Sequence, residues 1–194
     1  MSGSELNQMP ALRSRDDLLS FVAHGHRVKY LFFWGHTATK PNVVSKECLS
    51  QWYESEFRVD GIVYPSAEHF MMAEKARLFN DQGALERILA VGHPAEAKKI
   101  GRAVKDYQEA AWKQHRFDIV VRGNVAKFSQ NAALKEFLCA SGDRILVEAS
   151  PLDPIWGIGL DQNDPRAENP AHWRGLNLLG FALMEVRAGF FSAA

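Results

Sequence analysis

Apolar residues recur at helical spacing along much of the chain. Near the C-terminus Leu179, Leu183 and Val186 follow one another at intervals of four and three residues, so they share one helix face. Comparable patterns, together with Ser, Asp and Pro at the starts of segments, indicate several further helices. The predicted helices begin at Ser14 and then cover about 67–79, 82–91, 94–105, 108–128, 131–140 and 174–187.

Short β-prone runs stand between these helices. Two of them flank Asp60-Gly61 within residues 57–64, which is a strong signal for a β-hairpin. Ile145–Glu148 predicts a short strand, whereas the apolar run Val28–Trp34 fits either a strand or a buried segment. The pattern as a whole predicts a helix-dominated α+β domain with a small β-hairpin or sheet.

Three stretches have no clear period. Residues 1–13 are predicted to be a tail, and residues 35–50 are predicted to be a loop. Residues 149–173 contain four prolines with several glycines and aspartates, so an irregular but ordered loop is expected there. A loop as long as residues 35–50 often carries function.

Composition narrows the class of protein. The 194 residues are 46% hydrophobic and 24% charged, which is ordinary for one folded domain. The formal net charge is zero, so no global positive field attracts nucleic acid or membrane, although a local patch remains open. The two cysteines are far apart, the polar N-terminus lacks a signal-like apolar core, and no apolar run is long enough to span a membrane. These features predict a cytoplasmic protein without membrane association.

Motifs for common cofactors are absent from the sequence. There is no phosphate-binding GxxxxGK[ST] motif, and Gly157-Ile158-Gly159 does not continue as a dinucleotide-binding loop. An HExxH zinc motif is missing as well. We therefore predict neither a cofactor nor a metal.

The segment Pro65–Phe70 is the first place that suggests chemistry. Ser66 is suited to cap the following helix, which puts Glu68 in the first turn, where the helix dipole favours a charged carboxylate unless burial overrides it. An ionised Glu68 suits base catalysis or stabilisation of positive charge. The alternatives are a surface Glu68 that only favours the helix terminus and a His69 that only completes the cap.

The loop Asp153–Gly159 is the second place. It combines an acid with Trp156 and two glycines. The Trp156 ring can stack on a base, Gly157 allows close backbone approach, and Asp153 can bind a sugar. The alternative is a turn aspartate followed by a tryptophan of the core.

Polar residues on predicted helices form a third group. Lys75, Lys99 and Arg102 could bind an anion such as a sugar phosphate, and Gly101 interrupts its helix without an evident local reason. Asn177 could bond a sugar hydroxyl. Solvated surface positions are the alternative for each of them.

Taken in order, these pieces resemble the NADAR (YbiA-like) superfamily over about residues 28–190. The resemblance rests on an ordered series of motifs rather than on any one of them. The matching stretches are Phe32-Phe33-Trp34, Tyr64–Phe70 with Lys75, Ile100-Gly101-Arg102, Asp153-x-x-Trp156-Gly157, Asn177-x-x-Gly180 and Leu183–Arg187.

The resemblance implies an N-glycosidase, a hydrolase acting on ribosylaminopyrimidine phosphate intermediates of riboflavin biosynthesis. Other members are linked to ADP-ribose chemistry, including its removal from guanine in nucleic acid. A third possibility is a non-catalytic module that binds ADP-ribose or NAD. On the enzyme reading Glu68 and Asp153 are catalytic. The expected substrate-binding residues are Phe33, Trp34, His69, Lys75, Arg102, Trp156, Gly157 and Asn177.

Two segments depart from shorter members of this family. Residues 1–27 form an N-terminal extension before the domain at 28–190, and residues 161–172 form an acidic insertion. Both could reshape the mouth of a pocket. The partner expected from the resemblance is a small nucleotide-like molecule, with ADP-ribosylated nucleic acid as the alternative.

Overall fold

The computed structural model describes residues 11–38, 40 and 43–192, so residues 1–10 of the predicted tail lie outside it. Within the described residues the chain is an α+β domain, as the sequence predicts, and the predicted hairpin is confirmed. The helices are α1 (Arg15–Ala23), α2 (Ala67–Leu78), α3 (Gln82–Ala90), α4 (Pro94–Arg102), α5 (Glu109–Gln130), α6 (Ala132–Ala140) and α7 (Leu178–Ser192). The strands are β1 (Tyr30–Phe33), β2 (Phe57–Val59), β3 (Ile62–Tyr64) and β4 (Ile145–Glu148).

The strands pair in two ways. Strands β2 and β3 form the antiparallel hairpin, in which Asp60 and Gly61 have φ angles of 50° and 81°, as a tight turn of this kind requires. Strands β1 and β4 pair in parallel, from Tyr30 opposite Ile145 to Phe33 opposite Glu148. The run Val28–Trp34 is therefore a strand at its centre, and its carboxyl end lies beside that of β4.

Helix α2 lies at the centre of the helical layer and packs against α3, α4 and α5, while α7 packs against both β4 and α5. The glycine of the predicted Asn177-x-x-Gly180 motif makes the contact of α7 with β4 possible. A Cβ atom at Gly180 would lie 2.0 Å from the Leu146 carbonyl oxygen, so a larger side chain would force the two elements apart.

Two helices have different ends from those predicted. Helix α7 begins at Leu178 rather than near 174, because the amides of Arg174 and Gly175 both donate to the Ile158 carbonyl and Asn177 is left-handed, with a φ of 55°. Helix α4 ends at Arg102 rather than near 105. The Lys105 amide donates instead to the Asp81 carboxylate, which also caps α3.

The described part of the N-terminal segment packs against the domain, although residues 11–13 were expected to belong to a tail. Leu12 is buried, and the Arg13 guanidinium forms ion pairs with Asp118 of α5 and Glu185 of α7. Helix α1 also contacts the insertion at residues 170–172. Among the helices of the described residues, none combines the length and apolar character that crossing a membrane requires.

Candidate active site

Glu68 lies where the amino end of α2 meets the turn that follows residues 46–49. Ser66 caps the helix as predicted, since its hydroxyl accepts the His69 amide and lies 2.7 Å from His69 Nδ1. The Glu68 amide donates to the Gln51 carbonyl. These contacts hold Glu68 at 2% exposure, and its Oε1 atom has no hydrogen-bond partner within the described part of the chain.

Burial dominates the electrostatics of Glu68. It raises the pKa of the carboxyl to about 7, and the Asp153 charge acts in the same direction. Three influences lower this pKa without offsetting the burial: the charge of Lys98, a hydrogen bond from the Trp52 side chain, and the charge of Arg102. Burial thus overrides the helix N-terminus, and Glu68 exchanges its proton near neutral pH.

The second predicted acid, Asp153, is held by its own loop. Its Oδ1 atom accepts the backbone amides of Ile155 at 2.9 Å and Trp156 at 2.8 Å. Its Oδ2 atom lies 4.0 Å from Lys98 Nζ. One oxygen therefore orients the carboxylate, and the other belongs to an ion pair whose two charges both act on the pKa of Glu68.

A third acid, Glu148, joins this group and was not among the predicted residues. It is the last residue of β4, and its Oε2 atom is buried without a hydrogen-bond partner in the described structure. Burial raises the pKa of Glu148 to about 8, with Asp153 and Glu68 adding to the increase and Lys98 opposing it. We define Glu68, Glu148, Asp153 and Lys98 as the carboxylate cluster.

Trp52 lies beside the carboxylate cluster. Lys98 Nζ lies 5.6 Å from the centroid of its indole ring, and the His36 ring is 5.4 Å from it. The turn before Trp52 is held from behind by Lys127, which is fully buried and donates to the carbonyls of Cys48 at 2.7 Å and Ser50 at 2.8 Å.

The predicted basic residues Lys75 and Arg102 lie near one another at the end of α4. Lys75 Nζ donates to the Gly101 carbonyl at 2.8 Å and lies 4.3 Å from the Tyr107 ring, and burial lowers its pKa. Arg102 is exposed, and its charge acts on both Glu68 and Lys75. A Cβ atom at Gly101 would lie 2.1 Å from Met72 Sδ, so close packing of α4 on α2 explains this glycine. Lys99 is exposed.

Two predicted residues, Asn177 and Gly157, contact the backbone of β4, the strand that carries Glu148 of the carboxylate cluster. The fully buried Asn177 donates from Nδ2 to the Leu146 carbonyl, and its Oδ1 accepts the Glu148 amide at 2.9 Å. A Cβ atom at Gly157 would lie 2.8 Å from the Glu148 carbonyl oxygen. Both residues therefore fix the backbone of β4, and the nitrogen and the oxygen of the Asn177 side-chain amide each bind that backbone.

The remaining predicted residues differ widely in exposure. Phe33 is fully buried in the core beneath the carboxyl end of β1, whereas Trp34, the next residue, is 49% exposed. Trp156 is partly buried, and its amide binds Asp153. Burial lowers the pKa of His69, and the charged groups that act on it belong to the start of α4 rather than to the carboxylate cluster.

The sequence carried only weak signals for Glu148, Lys98 and Trp52. Carboxyl ends of parallel strands often hold active sites, but nothing local shows that the run at 30–33 pairs with β4. Lys98 lies one turn before Arg102 on α4. The sequence pattern of α4, however, does not indicate which part of the protein this face of the helix packs against. Trp52 directly follows a stretch without a period.

Fold and site together define the class: a small α+β domain that gathers three acids, of which Glu68 is fully buried, near the carboxyl end of β4 in a parallel strand pair. The chain matches the NADAR domain over residues 32–190 and belongs to this family. The predicted family is therefore confirmed.

Named relatives point to one enzyme class. N-glycosidase R617 of Acanthamoeba polyphaga mimivirus is 41% identical over 82% of this chain and 95% of its own length. N-glycosidase YbiA of Escherichia coli (strain K12) is 32% identical over 67% of this chain and 72% of its own. The NMR structure of E. coli YbiA superposes with a TM-score of 0.69 and 25% identity, covering 95% of both chains. These relatives confirm the predicted enzyme class, a hydrolase of N-glycosyl bonds.

A third relative has a name that concerns a pathway. The riboflavin biosynthesis protein VVA0006 of Vibrio vulnificus (strain YJ016) is 32% identical over 72% of this chain. The aligned region is 34% of that longer protein.

Proposed function

We propose that this protein hydrolyses the C–N glycosidic bond of ribosylaminopyrimidine phosphates, the early intermediates of riboflavin biosynthesis. The observation that carries the proposal is the buried Glu68 carboxyl. One of its oxygens has no hydrogen-bond partner among the described residues, and the charges of Lys98 and Asp153 act on its pKa. The similarity to a riboflavin biosynthesis protein supports this choice of substrate.

The chemistry of this bond requires negative charge beside the sugar. As the C1′–N bond breaks, the ribose becomes oxocarbenium-like and positive at C1′. A fixed carboxylate near C1′ stabilises that charge, and ionised Glu68 can take a proton from the water that attacks C1′. Glu68 is our candidate for both tasks, because burial brings its pKa to about 7.

Asp153 has a different task in this proposal. Two backbone amides fix one of its oxygens, so the other faces Lys98 in a defined direction. Such an oxygen can accept hydrogen bonds from the ribose hydroxyls and so place C1′ beside Glu68. Correct placement of reacting groups contributes much of an enzyme's rate.

The remaining parts of the substrate have candidate partners as well. The exposed Arg102 and the half-buried Lys75 lie beside each other and suit a sugar phosphate. Trp156 remains our candidate for stacking on the pyrimidine, and Trp52, which lies beside Glu68 and Lys98, offers a second aromatic face.

The proposal is tested by mass spectrometry of products from two substrates: a ribosylaminopyrimidine phosphate and an ADP-ribosylated guanine oligonucleotide. We expect ribose phosphate from the first, and loss of this product in Glu68→Gln. Release of ADP-ribose from the second substrate alone would instead assign a glycohydrolase acting on nucleic acid. No release from either substrate, with ADP-ribose binding that survives Glu68→Gln, would assign a binding module.

A further inference from the structure

The backbone of Glu148 is fixed on both sides. Its amide donates to Asn177 Oδ1 at 2.9 Å, and its carbonyl accepts the Ile158 amide at 2.9 Å. The side chain nevertheless leaves its Oε2 atom buried without a partner in the described residues. A well-placed buried polar atom without a partner costs stability, so it calls for an explanation.

The surroundings of Glu148 combine several acids with little positive charge. The charged groups that act on it are Glu68 from α2, Asp153 from the loop after β4, and Lys98 from α4. Carboxylates that share a buried site cannot all ionise together, so such a group retains a proton. Burial raises the pKa of Glu148 to about 8, and the charges of Asp153 and Glu68 add to the increase. Together with the buried Oε2 atom that has no partner among the described residues, this favours a proton on the Glu148 side chain at neutral pH.

Two carboxyl groups that share one site commonly divide the roles of acid and base. We propose that Glu148 is the general acid that protonates the leaving nitrogen, an inference that rests on the proposed function. As the C1′–N bond breaks, its electron pair stays on nitrogen, which takes the proton of Glu148. Water adds to C1′ and gives a proton to Glu68, and exchange of that proton restores Glu148.

The test compares two probes that differ in their need for an acid. On a ribosylaminopyrimidine phosphate, we expect Glu148→Gln to lower kcat/KM by about 100- to 1,000-fold, a usual contribution of general acid catalysis. On 4-nitrophenyl riboside 5-phosphate, whose leaving group departs without a proton, we expect a loss below about 5-fold. Glu68→Gln should lower kcat/KM on both probes, and Glu74→Gln on neither.

The pH profile gives a second readout. In the wild-type protein, kcat/KM on the amine probe should fall above pH 8 as Glu148 ionises. Glu148→Gln should lose this alkaline limb. Equal losses on both probes, or an alkaline limb that persists in the variant, would overturn the role of Glu148.

Carbon NMR of labelled glutamate carboxyls tests the proton itself, independently of activity. We expect a resonance that titrates near pH 8 and disappears in Glu148→Gln. A Glu148 carboxyl that titrates below pH 5 would overturn the assignment even if hydrolysis occurs. If the wild-type protein cleaved neither probe, the proposed function and the catalytic role would both fall, whereas the titration would still decide whether Glu148 holds a proton.

Discussion

Helix α2 carries two glutamates with opposite surroundings. Glu74 is paired twice, because Arg77 and Arg122 each donate to one of its oxygens. Glu68 belongs to the first turn of the same helix and is buried with an oxygen that has no partner among the described residues. A buried carboxylate with an oxygen that lacks a partner destabilises the fold, whereas the ion pairs of Glu74 stabilise its surroundings. This contrast supports our proposal that the position of Glu68 serves chemistry rather than stability.

The largest effect is expected from neutralising Asp153, the second acid of the carboxylate cluster. We expect Asp153→Asn to lower kcat/KM by about 100-fold, roughly 3 kcal/mol, because the neutral side chain loses its ion pair with Lys98 and the charged hydrogen bonds that place the ribose. The backbone hydrogen bonds to Ile155 and Trp156 can persist, since the amide oxygen also accepts them. Steady-state kinetics on the ribosylaminopyrimidine phosphate measure the loss.

The matched control for this variant is Asp164→Asn. Asp164 also accepts a backbone amide two residues ahead and pairs with an arginine, Arg166, but it belongs to the insertion. We expect the kcat/KM of Asp164→Asn to remain within about 2-fold of the wild-type value. Similar losses in both variants would mean that the effect arises from loop structure rather than from the carboxylate cluster.

A second prediction concerns the support behind Trp52. Lys127→Met leaves the carbonyls of Cys48 and Ser50 without their donor, so we expect a loss of about 2–3 kcal/mol in the free energy of unfolding. Lys113→Met, which removes an exposed pair with Glu109, should cost less than about 0.5 kcal/mol. Urea denaturation measures both values, and equal costs would refute a supporting role for Lys127.

The smallest predicted effect concerns how the free energy of unfolding depends on pH when Glu68 or Glu74 of α2 is replaced. The folded pKa of Glu68, about 7, exceeds its ordinary value of 4.5. Its protonated form therefore adds stability below pH 4.5 that is lost as the pH rises through 7. Glutamine cannot ionise. We therefore expect the free energy of unfolding of Glu68→Gln to exceed that of the wild-type protein by about 1–2 kcal/mol at pH 8 and to equal it at pH 4.

Glu74→Gln is the control for this titration. It loses partly exposed ion pairs, so we expect a decrease in unfolding free energy of about 0.5–1 kcal/mol at pH 8. Thermal and urea unfolding at both pH values provide the data. A Glu68→Gln variant that is less stable than the wild-type protein at pH 8 would contradict the unfavourable burial of that carboxylate.

Local sequence signals predicted most of the fold because local contacts determine most of its elements. Ser66 caps α2, Asp60-Gly61 turns the hairpin, and apolar spacing marks the helices. The parallel pairing of β1 with β4 was not predictable, since the two strands are far apart in sequence and neither shows its partner. The start of α7 was misplaced because tertiary hydrogen bonds to the Ile158 carbonyl compete with helix formation at residues 174–175.

The candidate site divides in the same way. Glu68 and Asp153 could be singled out because each belongs to a local motif, a helix start and a turn before proline. The burial that sets the pKa of Glu68 depends on packing that no local motif reports. Glu148 and Lys98 joined the carboxylate cluster through the β1–β4 pairing and the packing of α4 on α2, and both are long-range features.

The most direct test of the account is the ratio of kcat/KM between Glu68→Gln and Glu74→Gln on the ribosylaminopyrimidine phosphate. Each variant removes one charge from the same helix with the same change of atoms. We predict that Glu68→Gln is slower by about 100-fold or more, whereas Glu74→Gln stays within about 2-fold of the wild-type protein. Near-normal turnover by Glu68→Gln would contradict the central claim that the buried carboxyl of α2 carries the chemistry.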